Sequence, residues 1–406
     1  MIVSGKGMGK DSMKRVLIYM KKNDLAQIGG PVGYNYNLLC GMESLPHINI
    51  EINYLPGRPS VSKQANQKIA KINNKIVRNM LLAGKSIANK GLMMYGPKHK
   101  AAVDLSQYDA VHFHKTMDLY RAKDSLANYK GKVLLTSHTP TMPYLEVIDN
   151  MTDFEKRYMK WFYRKLPEID RFAFERADYI IFPCPEAEEP YYHTWPGYDE
   201  FHRKNENKFR YLPTGTSQKT AQLSRTEVLG KYHIPQDAFV ISYVGRHNEI
   251  KGYGDLKEVA RELLEKYPNL YFLIAGKEGP MMGLKHPRWI EAGWTNDPGS
   301  IIKAADFFML PNRETYFDLV MLEVLSLGQI VLASRTGGNR YFEQFGTDGI
   351  LLYDSLDEAV EKVSKLYELS ADQTVALRKA NRELYEAHFT NKVFAEQYQR
   401  LMSSLV

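Results

Sequence analysis

The sequence predicts an α/β fold made of two doubly wound, Rossmann-like domains that face a central cleft. Its 406 residues are enough for two domains of ordinary size. Short, almost entirely apolar strands alternate with longer helical patterns, which is typical of parallel sheets covered by helices on both faces. A polar stretch near the middle of the chain, PTGTSQKTAQ at 213–222, has the composition of a linker between the two domains.

The predicted strands form two series, one on each side of this linker. Six precede it: Val16–Met20, Ile48–Leu55, Ala110–Phe113, Lys132–Ser137, Tyr179–Pro183 and Phe209–Leu212. Four follow it: Phe239–Val244, Leu270–Ala275, Asp306–Leu310 and Ile330–Ser334. Helical periodicity fills the gaps, as at Asp255–Tyr267, where apolar residues recur along one stripe. This order places the boundary between the domains at 217/218.

The net charge of +7 comes from one segment of the chain. Ten basic residues and no acidic ones lie between Ile52 and Val103, which leaves 44 basic against 47 acidic residues elsewhere. Within this segment, Lys63–Ile87 is predicted to form one or two helices in which apolar and basic residues alternate. A solvated helix face is one interpretation, and nucleic-acid binding is discounted because no aromatic residues interleave with the charges. We favour contact of residues 58–100 with an anionic membrane surface.

Composition excludes several other classes of protein. Two cysteines, Cys40 and Cys184, are too few for a disulfide framework or a cysteine metal site. No apolar run approaches the roughly 18 residues that a membrane-spanning helix needs. The first residues, Met1 to Met13, lack the apolar centre of a signal peptide. We therefore expect a cytoplasmic protein, held at the inner face of the cell membrane where its basic segment makes contact.

Two cations in the second half of the chain have the spacing of a phosphate receptor. The strand Phe239–Val244 leads into VGRHNEIKG, so Arg246 and Lys251 lie on the loop just before a helix. A guanidinium, an ammonium and a helix N-terminus together suit a diphosphate. On an isolated loop, two solvated surface charges would be the better interpretation. The segment DFFMLPNRETYFDLVMLEVLSLG, followed by IVLAS and TGGN, favours the diphosphate.

These residues resemble the family 4 (group 1) retaining glycosyltransferases, whose two domains form the GT-B fold. The resemblance is most specific from Val244 to Gly338: a VGR…KG loop, a strand ending in Gly276, the ADFFMLP strand and an E-x-F-G-L-x-x-x-E segment. Before the linker it is looser and comprises the glycine loop GGPVGYNYNLL, the strand YDAVHFH and the strand end LLTSH. It covers about residues 15 to 401.

The resemblance implies a role for each matched position. Arg246 and Lys251 would neutralise the diphosphate leaving group, and Glu323 would accept hydrogen bonds from the nucleotide ribose. His138 would lie beside the transferred sugar, whereas core packing explains His112 and His114. The catalytic residues are thus His138, Arg246 and Lys251. The donor-binding residues are Gly30, Gly33, Gly245, Arg246, Lys251, Gly276, Thr315, Tyr316, Phe317, Asp318, Leu319 and Glu323.

One departure from the family segment affects the expected activity. The first glutamate of the segment corresponds to Thr315, and the glycine before Leu319 corresponds to Asp318. Glu314 is one residue away from the glutamate position and would need a shifted loop to replace it. We interpret the change as altered donor recognition in an active enzyme, with Thr315 and Asp318 sharing the missing role. A catalytically silent subunit is the main alternative.

The implied function is transfer of a sugar from a nucleotide-diphosphate sugar to a hydroxyl of a glycan or lipid-linked glycan in cell-surface polysaccharide synthesis. Residues 1–217 would bind the acceptor and residues 218–390 the donor, with the final helix at 391–406 packing back on the N-terminal domain. No cofactor is expected, and UDP-sugar is preferred to GDP-sugar as the donor. No metal is expected either, because two cations and a helix dipole can stabilise the leaving group. The alternatives are a silent GT-B subunit that binds glycan or a partner glycosyltransferase, and a GT-B sugar-nucleotide epimerase.

Overall fold

The computed structural model describes residues 13–27, 30–56, 69–96 and 99–406. These residues form two six-stranded sheets, one on each side of the linker, in which neighbouring strands are parallel. Most strand residues are apolar and buried, because helices cover both faces of each sheet. The predicted pair of Rossmann-like sheets is therefore present.

The first sheet belongs to the N-terminal half of the chain. Its strands are β1 (Lys14–Lys21), β2 (Ile50–Leu55), β3 (Ala110–Phe113), β4 (Lys132–Leu135), β5 (Tyr179–Phe182) and β6 (Phe209–Tyr211). Their spatial order is β2-β1-β3-β4-β5-β6. The helices of this half are α1 (Gly30–Glu43), α2 (Lys75–Tyr95), α3 (Thr116–Arg121), α4 (Lys123–Leu126), α5 (Pro143–Asp149), α6 (Asp153–Tyr158), α7 (Lys160–Tyr163), α8 (Leu166–Arg176), α9 (Glu189–Thr194) and α10 (Tyr198–Lys204).

The second sheet has the order β12-β11-β10-β7-β8-β9. Its strands are β7 (Phe239–Val244), β8 (Leu270–Ala275), β9 (Trp289–Gly293), β10 (Phe307–Leu310), β11 (Val331–Ser334) and β12 (Ile350–Tyr353). Its helices are α11 (Arg225–Lys231), α12 (Tyr253–Lys266), α13 (Pro298–Ala304), α14 (Leu319–Ser326), α15 (Leu356–Tyr367) and α16 (Ala371–His388). Strand order reverses between β7 and β10, and such a reversal opens a crevice at the carboxyl ends of the strands.

Two strands of the second sheet are missing from the sequence prediction. β9 and β12 lie at the two edges of the sheet. Edge strands are covered less completely, and most residues of the WIEAG and ILLY segments are only partly buried. β7 and β8 have the predicted bounds, whereas β4 and β5 end before the predicted Ser137 and Pro183. In the second sheet the interior strands were thus predicted well, and the two edge strands were not predicted.

The chain crosses between the two halves twice, at adjacent points. The linker passes Thr216, whose backbone N–H donates to the Phe389 carbonyl at 2.9 Å and which forms a parallel bridge with Thr390. After this bridge, helix α17 (Asn391–Leu405) packs against α1 through Phe394 and Tyr398. The domain boundaries at 217/218 and 390/391 stay predictions.

One apolar cluster extends across both halves of the molecule. It contains Phe182 and Tyr191 from the first half together with Phe317 and Phe342 from the second. Polar contacts accompany it: Glu189 on α9 pairs with Arg340 and accepts a hydrogen bond from the Thr336 hydroxyl at 3.3 Å. A shared apolar core of this kind holds the halves together more firmly than a polar, hydrated interface would.

The basic segment forms a helix with an exposed apolar face. Helix α2 begins at Lys75, where Asn74 accepts hydrogen bonds from two backbone N–H groups. The predicted helix start at Lys63 lies outside the described ranges. Residues 57–68, including the predicted contact residues from 58 on, lie outside the described ranges. The exposed face consists of Ile76, Val77, Met80, Leu81, Ile87, Leu92 and Tyr95. None of the helices in the described ranges combines the length and apolar character required to cross a membrane.

The polar side of α2 faces the rest of the protein. Lys90 pairs with Glu155 on α6, which also accepts a hydrogen bond from the Ser86 hydroxyl. At the end of the helix Met93 and Met94 pack against an apolar cluster of the domain that contains Phe162. The other large apolar residues of the helix are exposed, and Ile76 and Met80 remain 72% and 69% exposed.

Candidate active site

Arg246 and Lys251 lie on the loop between β7 and α12, at the switch point of the second sheet. The loop is fixed by Gly252, which has a φ of +63° and whose added Cβ would overlap the Pro311 carbonyl oxygen. Only glycine allows this close approach, which brings Lys251 to the end of β10. Gly245 is held by a hydrogen bond from its N–H to the Ala275 carbonyl at 3.0 Å. The predicted loop position is confirmed.

The two cations differ in what they contact. Arg246 is exposed, and its guanidinium makes no ion pair with any residue in the described ranges. Lys251 is paired with Asp318, the residue before the first turn of α14. Asp318 also accepts hydrogen bonds from the Asn312 side-chain amide at 2.9 Å and from the Val320 N–H at 3.3 Å. The site therefore presents one unpaired cation and one cation with an internal counter-ion.

The pKa of Asp318 is lowered by these contacts. Burial by itself would raise the pKa of this carboxyl, but the attraction of Lys251 and the hydrogen bonds outweigh it. Asp318 is consequently ionised at neutral pH. Asp318, one of the residues predicted to bind the donor, thus places a fixed negative charge at the N-terminus of α14.

Glu323 lies on α14 and is paired with a residue of the linker. Its Oε1 is 3.0 Å from the Lys219 Nζ, and both side chains are 20% exposed. The Lys219 N–H also donates to the Ser326 hydroxyl at 3.1 Å, which ties the linker to the same helix. Sequence reasoning missed Lys219, because the linker's polar composition gives no sign of which side chain reaches the site.

The loop after β8 approaches the loop after β7 at Gly276. This residue has a φ of +149°, and a Cβ here would overlap the Gly245 carbonyl oxygen. Beside it lies His247, which is fully buried and stacked on Tyr253 with ring centroids 4.1 Å apart. Burial lowers the pKa of His247, and neither ring nitrogen has a hydrogen-bond partner in the described residues. His247 is a second residue that the sequence analysis did not single out.

Residues 314–319, where the sequence departs from the family pattern, run between the two halves of the molecule. Thr315 is buried, and its carbonyl accepts a hydrogen bond from Gly338 at 3.3 Å. Glu314 faces α9, where its Oε1 is 3.5 Å from the His193 Nδ1, and burial raises the pKa of Glu314. Phe317 packs against Phe342 in the shared apolar cluster. Leu319 follows Asp318 as the first residue of α14.

Tyr316 reaches from this segment into the first half of the molecule. Its ring centroid is 5.6 Å from that of Phe182 and 6.4 Å from that of His138. The cavity left beside these rings, lined also by Tyr34 and Thr136, measures about 10 Å³. A space of that size holds at most one water molecule. In this arrangement Tyr316 fills the position that the resemblance assigns to the transferred sugar.

His138 belongs to a group of three histidines at the carboxyl ends of β3 and β4, in which His112 and His114 are buried and His138 is partly buried. Its Nε2 is 2.9 Å from the His114 Nδ1, so one of the two nitrogens carries the shared proton. His112 contacts the Tyr398 hydroxyl at 3.0 Å and the Thr136 hydroxyl at 2.8 Å. Burial lowers the pKa values of His138 and His112 to about 3 each. His112 is therefore satisfied by core contacts, whereas His114 is linked to the candidate catalytic residue.

The glycines of the predicted N-terminal loop lie at the start of α1. Gly30 has a φ of +69°, and Gly33 is buried in the first turn of the helix. The next residue, Tyr34, packs on His138 with ring centroids 5.0 Å apart. Gly30 and Gly33 are thus brought close to the histidine group, although residues 28–29 lie outside the described ranges.

A larger cavity of about 290 Å³ opens at the carboxyl ends of β10, β11 and β12. Arg313 and Arg335 line it, and each is paired with an aspartate, Asp255 and Asp354 respectively. No motif in the sequence predicts a site at this cavity. Among the described residues no three histidine, cysteine, aspartate or glutamate side chains converge in a way that could hold a metal ion.

Comparison with known proteins matches the second half of the chain to one family. Residues 238–369 match the family model described as Glycosyl transferases group 1. This range runs from the start of β7 to the end of α15 and contains the loop with Arg246 and Lys251 as well as Glu323. The part of the chain with the most specific sequence motifs is therefore the part that the family model covers.

Curated relatives match over part of their length. A D-inositol 3-phosphate glycosyltransferase of Corynebacterium urealyticum is 31% identical over 136 residues, which is 29% of this chain and 32% of the relative. The lipopolysaccharide core biosynthesis glycosyltransferase LpsE of Rhizobium meliloti is 25% identical over 185 residues, 43% of this chain and 52% of the relative. The chain thus spans between a third and about half of the length of these relatives.

A solved structure matches nearly the whole fold. HepE of Anabaena, in complex with UDP-glucose, aligns with a TM-score of 0.59 over 97% of this chain and 100% of its own, at 14% identity. The predicted GT-B architecture of two Rossmann-like domains is confirmed. The domain match and the relatives together support a GT-B glycosyltransferase.

Proposed function

We propose that the chain is a family 4 retaining glycosyltransferase that moves a hexosyl group from a nucleotide-diphosphate sugar to a hydroxyl of a glycan or lipid-linked glycan in cell-surface polysaccharide synthesis. One observation carries the proposal. Arg246, Lys251 and the N-terminus of α14 lie at the switch point of a sheet that matches the group 1 glycosyltransferase model. Two cations and a helix N-terminus suit the diphosphate of such a donor.

The proposed residues act at different points of the donor. Arg246 and Lys251 stabilise the charge that develops on the diphosphate as the bond from the sugar carbon to the phosphate oxygen breaks. The acceptor oxygen forms the new glycosidic bond on the same face, and its proton passes to the departing phosphate oxygen. Glu323 accepts hydrogen bonds from the ribose. Neutral His138 lies beside the sugar once the Tyr316 ring has moved out of the space next to it. Thr315 takes the place of the missing glutamate, whereas the Asp318 carboxylate is held by Lys251, Asn312 and the Val320 N–H.

The donor we expect is a UDP-sugar, with no cofactor and no divalent metal. UDP-glucose is the ligand of HepE, which shares the fold. Metal independence is proposed because Arg246, Lys251 and the helix dipole supply the positive charge that a divalent cation would otherwise contribute. The cytoplasmic location also stays a prediction.

Thermal-shift measurements on the full chain test the donor site. A donor at a hundred times its dissociation constant should stabilise the protein by about 2.7 kcal/mol. UDP-glucose, UDP-galactose and GDP-mannose serve as probes, and the shift should persist in EDTA. The double variant Arg246→Ala, Lys251→Ala should lose it, whereas Arg261→Ala, an exposed residue of α12 paired with Glu258, should keep it.

An unchanged shift in the double variant would show that the donor site is assigned wrongly. Loss of activity in EDTA, restored by magnesium, would contradict metal independence. Thr315 and the partly buried Tyr316 ring, which occupies the space beside His138, favour the second candidate, a silent GT-B subunit that binds glycan or a partner glycosyltransferase. Donor hydrolysis or transfer by the purified protein separates these candidates. Product analysis separates transfer from a sugar-nucleotide epimerase.

We also propose that the enzyme binds an anionic membrane surface through α2. The observation that favours this is the exposed apolar face of the helix, described above, in a segment without acidic side chains from Ile52 to Val103. An amphipathic helix of this kind places its apolar face in the boundary between headgroups and acyl chains, and nearby lysines and arginines attract anionic lipids. A lipid-linked acceptor would then be held at the same surface.

A further inference from the structure

Asp318 places a negative charge where the proposed donor site needs positive charge. One of its carboxylate oxygens contacts Lys251 and the Asn312 amide, and the other accepts from the Val320 N–H. The side chain is only 13% exposed. It is therefore held on both oxygens, between the ammonium of Lys251 and the first turn of α14.

The contacts leave the site with less positive charge than its cations suggest. Lys251 is paired internally, and the N-terminus of α14 is capped by the same carboxylate. An anion that approaches Lys251 meets the Asp318 charge at close range in a partly buried setting, where charges interact more strongly than in water. In the described residues Arg246 remains without an ion-pair partner.

We infer that Asp318 is a specificity-determining residue, an internal counter-ion of Lys251 that weakens binding of phosphate ligands in proportion to their negative charge. The inference rests on the proposed donor site. A nucleotide-diphosphate sugar carries one charge on each phosphate. The nucleoside diphosphate released from it gains a terminal phosphate whose second pKa is near 6, so it carries almost one charge more. Asp318 consequently disfavours the product more than the donor.

Titration calorimetry at low ionic strength tests the inference on the full chain with pyrophosphate, UDP and UDP-glucose. Asp318→Asn removes the charge but keeps an oxygen that can cap α14. The dissociation constants of pyrophosphate and UDP should fall by about tenfold, and that of UDP-glucose by about fivefold, because the ligands differ by about one charge and screening is weak under these conditions. Asp372→Asn, an exposed aspartate on α16, makes the same change in net charge and should leave all three constants unchanged.

A second variant tests the same loss of charge in case Asp318→Asn does not fold. Asp318→Ser also retains a capping oxygen and should show the same order of effects. Unchanged constants in a folded Asp318 variant, or an equal gain for UDP and UDP-glucose, would overturn the inference and leave the proposed function intact. If none of the three ligands binds either the natural protein or the variants, the donor site itself is wrong and the inference falls with it.

Discussion

At the scale of single residues, the buried histidines make the stability of the protein depend on pH. The pKa values of His138 and His112 are about 3, and burial also lowers the pKa of His114. The ordinary pKa of histidine is 6.5. Below that pH the unfolded chain binds protons that the folded protein does not, so stability is lost as pH falls from 6.5 toward 3.

We predict that the melting temperature decreases steadily between pH 7 and pH 5. For each histidine with a pKa near 3, the free energy of unfolding should fall by about 2 kcal/mol between pH 6.5 and pH 5. His138→Asn should reduce the slope of melting temperature against pH, whatever its effect on the melting temperature itself. Replacement of the exposed His388 by Asn should leave the slope unchanged. A pH-independent melting temperature would contradict the burial of these rings in neutral form.

The residues of the donor site were predictable only where a motif fixes their local position. The loop position of Arg246 and Lys251 follows from sequence order alone. The pairing of Lys251 with Asp318, and of Glu323 with Lys219, depends on contacts between residues far apart in the chain. No local pattern encodes such contacts, since either partner could equally be solvated.

At the scale of elements, the loop between β7 and α12 depends on one glycine. We predict that Gly252→Ala lowers the free energy of unfolding by at least about 2 kcal/mol, because alanine disfavours a φ of +63° and its Cβ would overlap the Pro311 carbonyl oxygen. Chemical denaturation measures the effect. Gly230→Ala is the matched control: it lies in α11 with open space around the added Cβ, so it should be neutral or stabilising. Equal effects of the two changes would contradict this account of the loop.

Helix α2 supplies a prediction about membrane binding. The full chain should float with vesicles that contain phosphatidylglycerol and not with pure phosphatidylcholine, because charge and the apolar face act together. The double variant Ile76→Ser, Met80→Ser removes two of the most exposed apolar side chains of the helix and should abolish flotation. Val375→Ser on α16 removes a comparably exposed side chain and should not. Equal binding to neutral and anionic vesicles would refute the proposed role of charge.

In the second sheet the interior strands were predicted better than the two edge strands, whereas in the first sheet the edge strands β2 and β6 were predicted as well. β7 and β8 combine β-branched residues with complete burial of most positions, which gives a clear apolar run. β9 and β12 are partly exposed, so their composition resembles that of loops. The start of α2 at Lys75 depends on the Asn74 cap, and the predicted helix start at Lys63 lies outside the described ranges.

At the scale of the whole molecule, the apolar cluster shared by the two halves couples their stabilities. We predict a single transition in scanning calorimetry, because unfolding either half exposes apolar surface of the other. Tyr316→Ala removes a partly buried ring that bridges the halves and should lower the melting temperature, since its contacts with Phe182 and His138 are lost. Tyr158→Ala, at a 60% exposed position, should have little effect. Two well-separated transitions in the natural protein would rule out this coupling.

The adjacent chain crossings at Thr216 and Thr390 also determine how the molecule can move. Two covalent connections that are hydrogen-bonded side by side act as a hinge with a fixed axis, so the halves can rotate about this line but cannot slide apart. In such a rotation the displacement of each atom grows with its distance from the axis. A small change of angle at the crossings therefore becomes a wider gap between the halves at the far rim of the molecule.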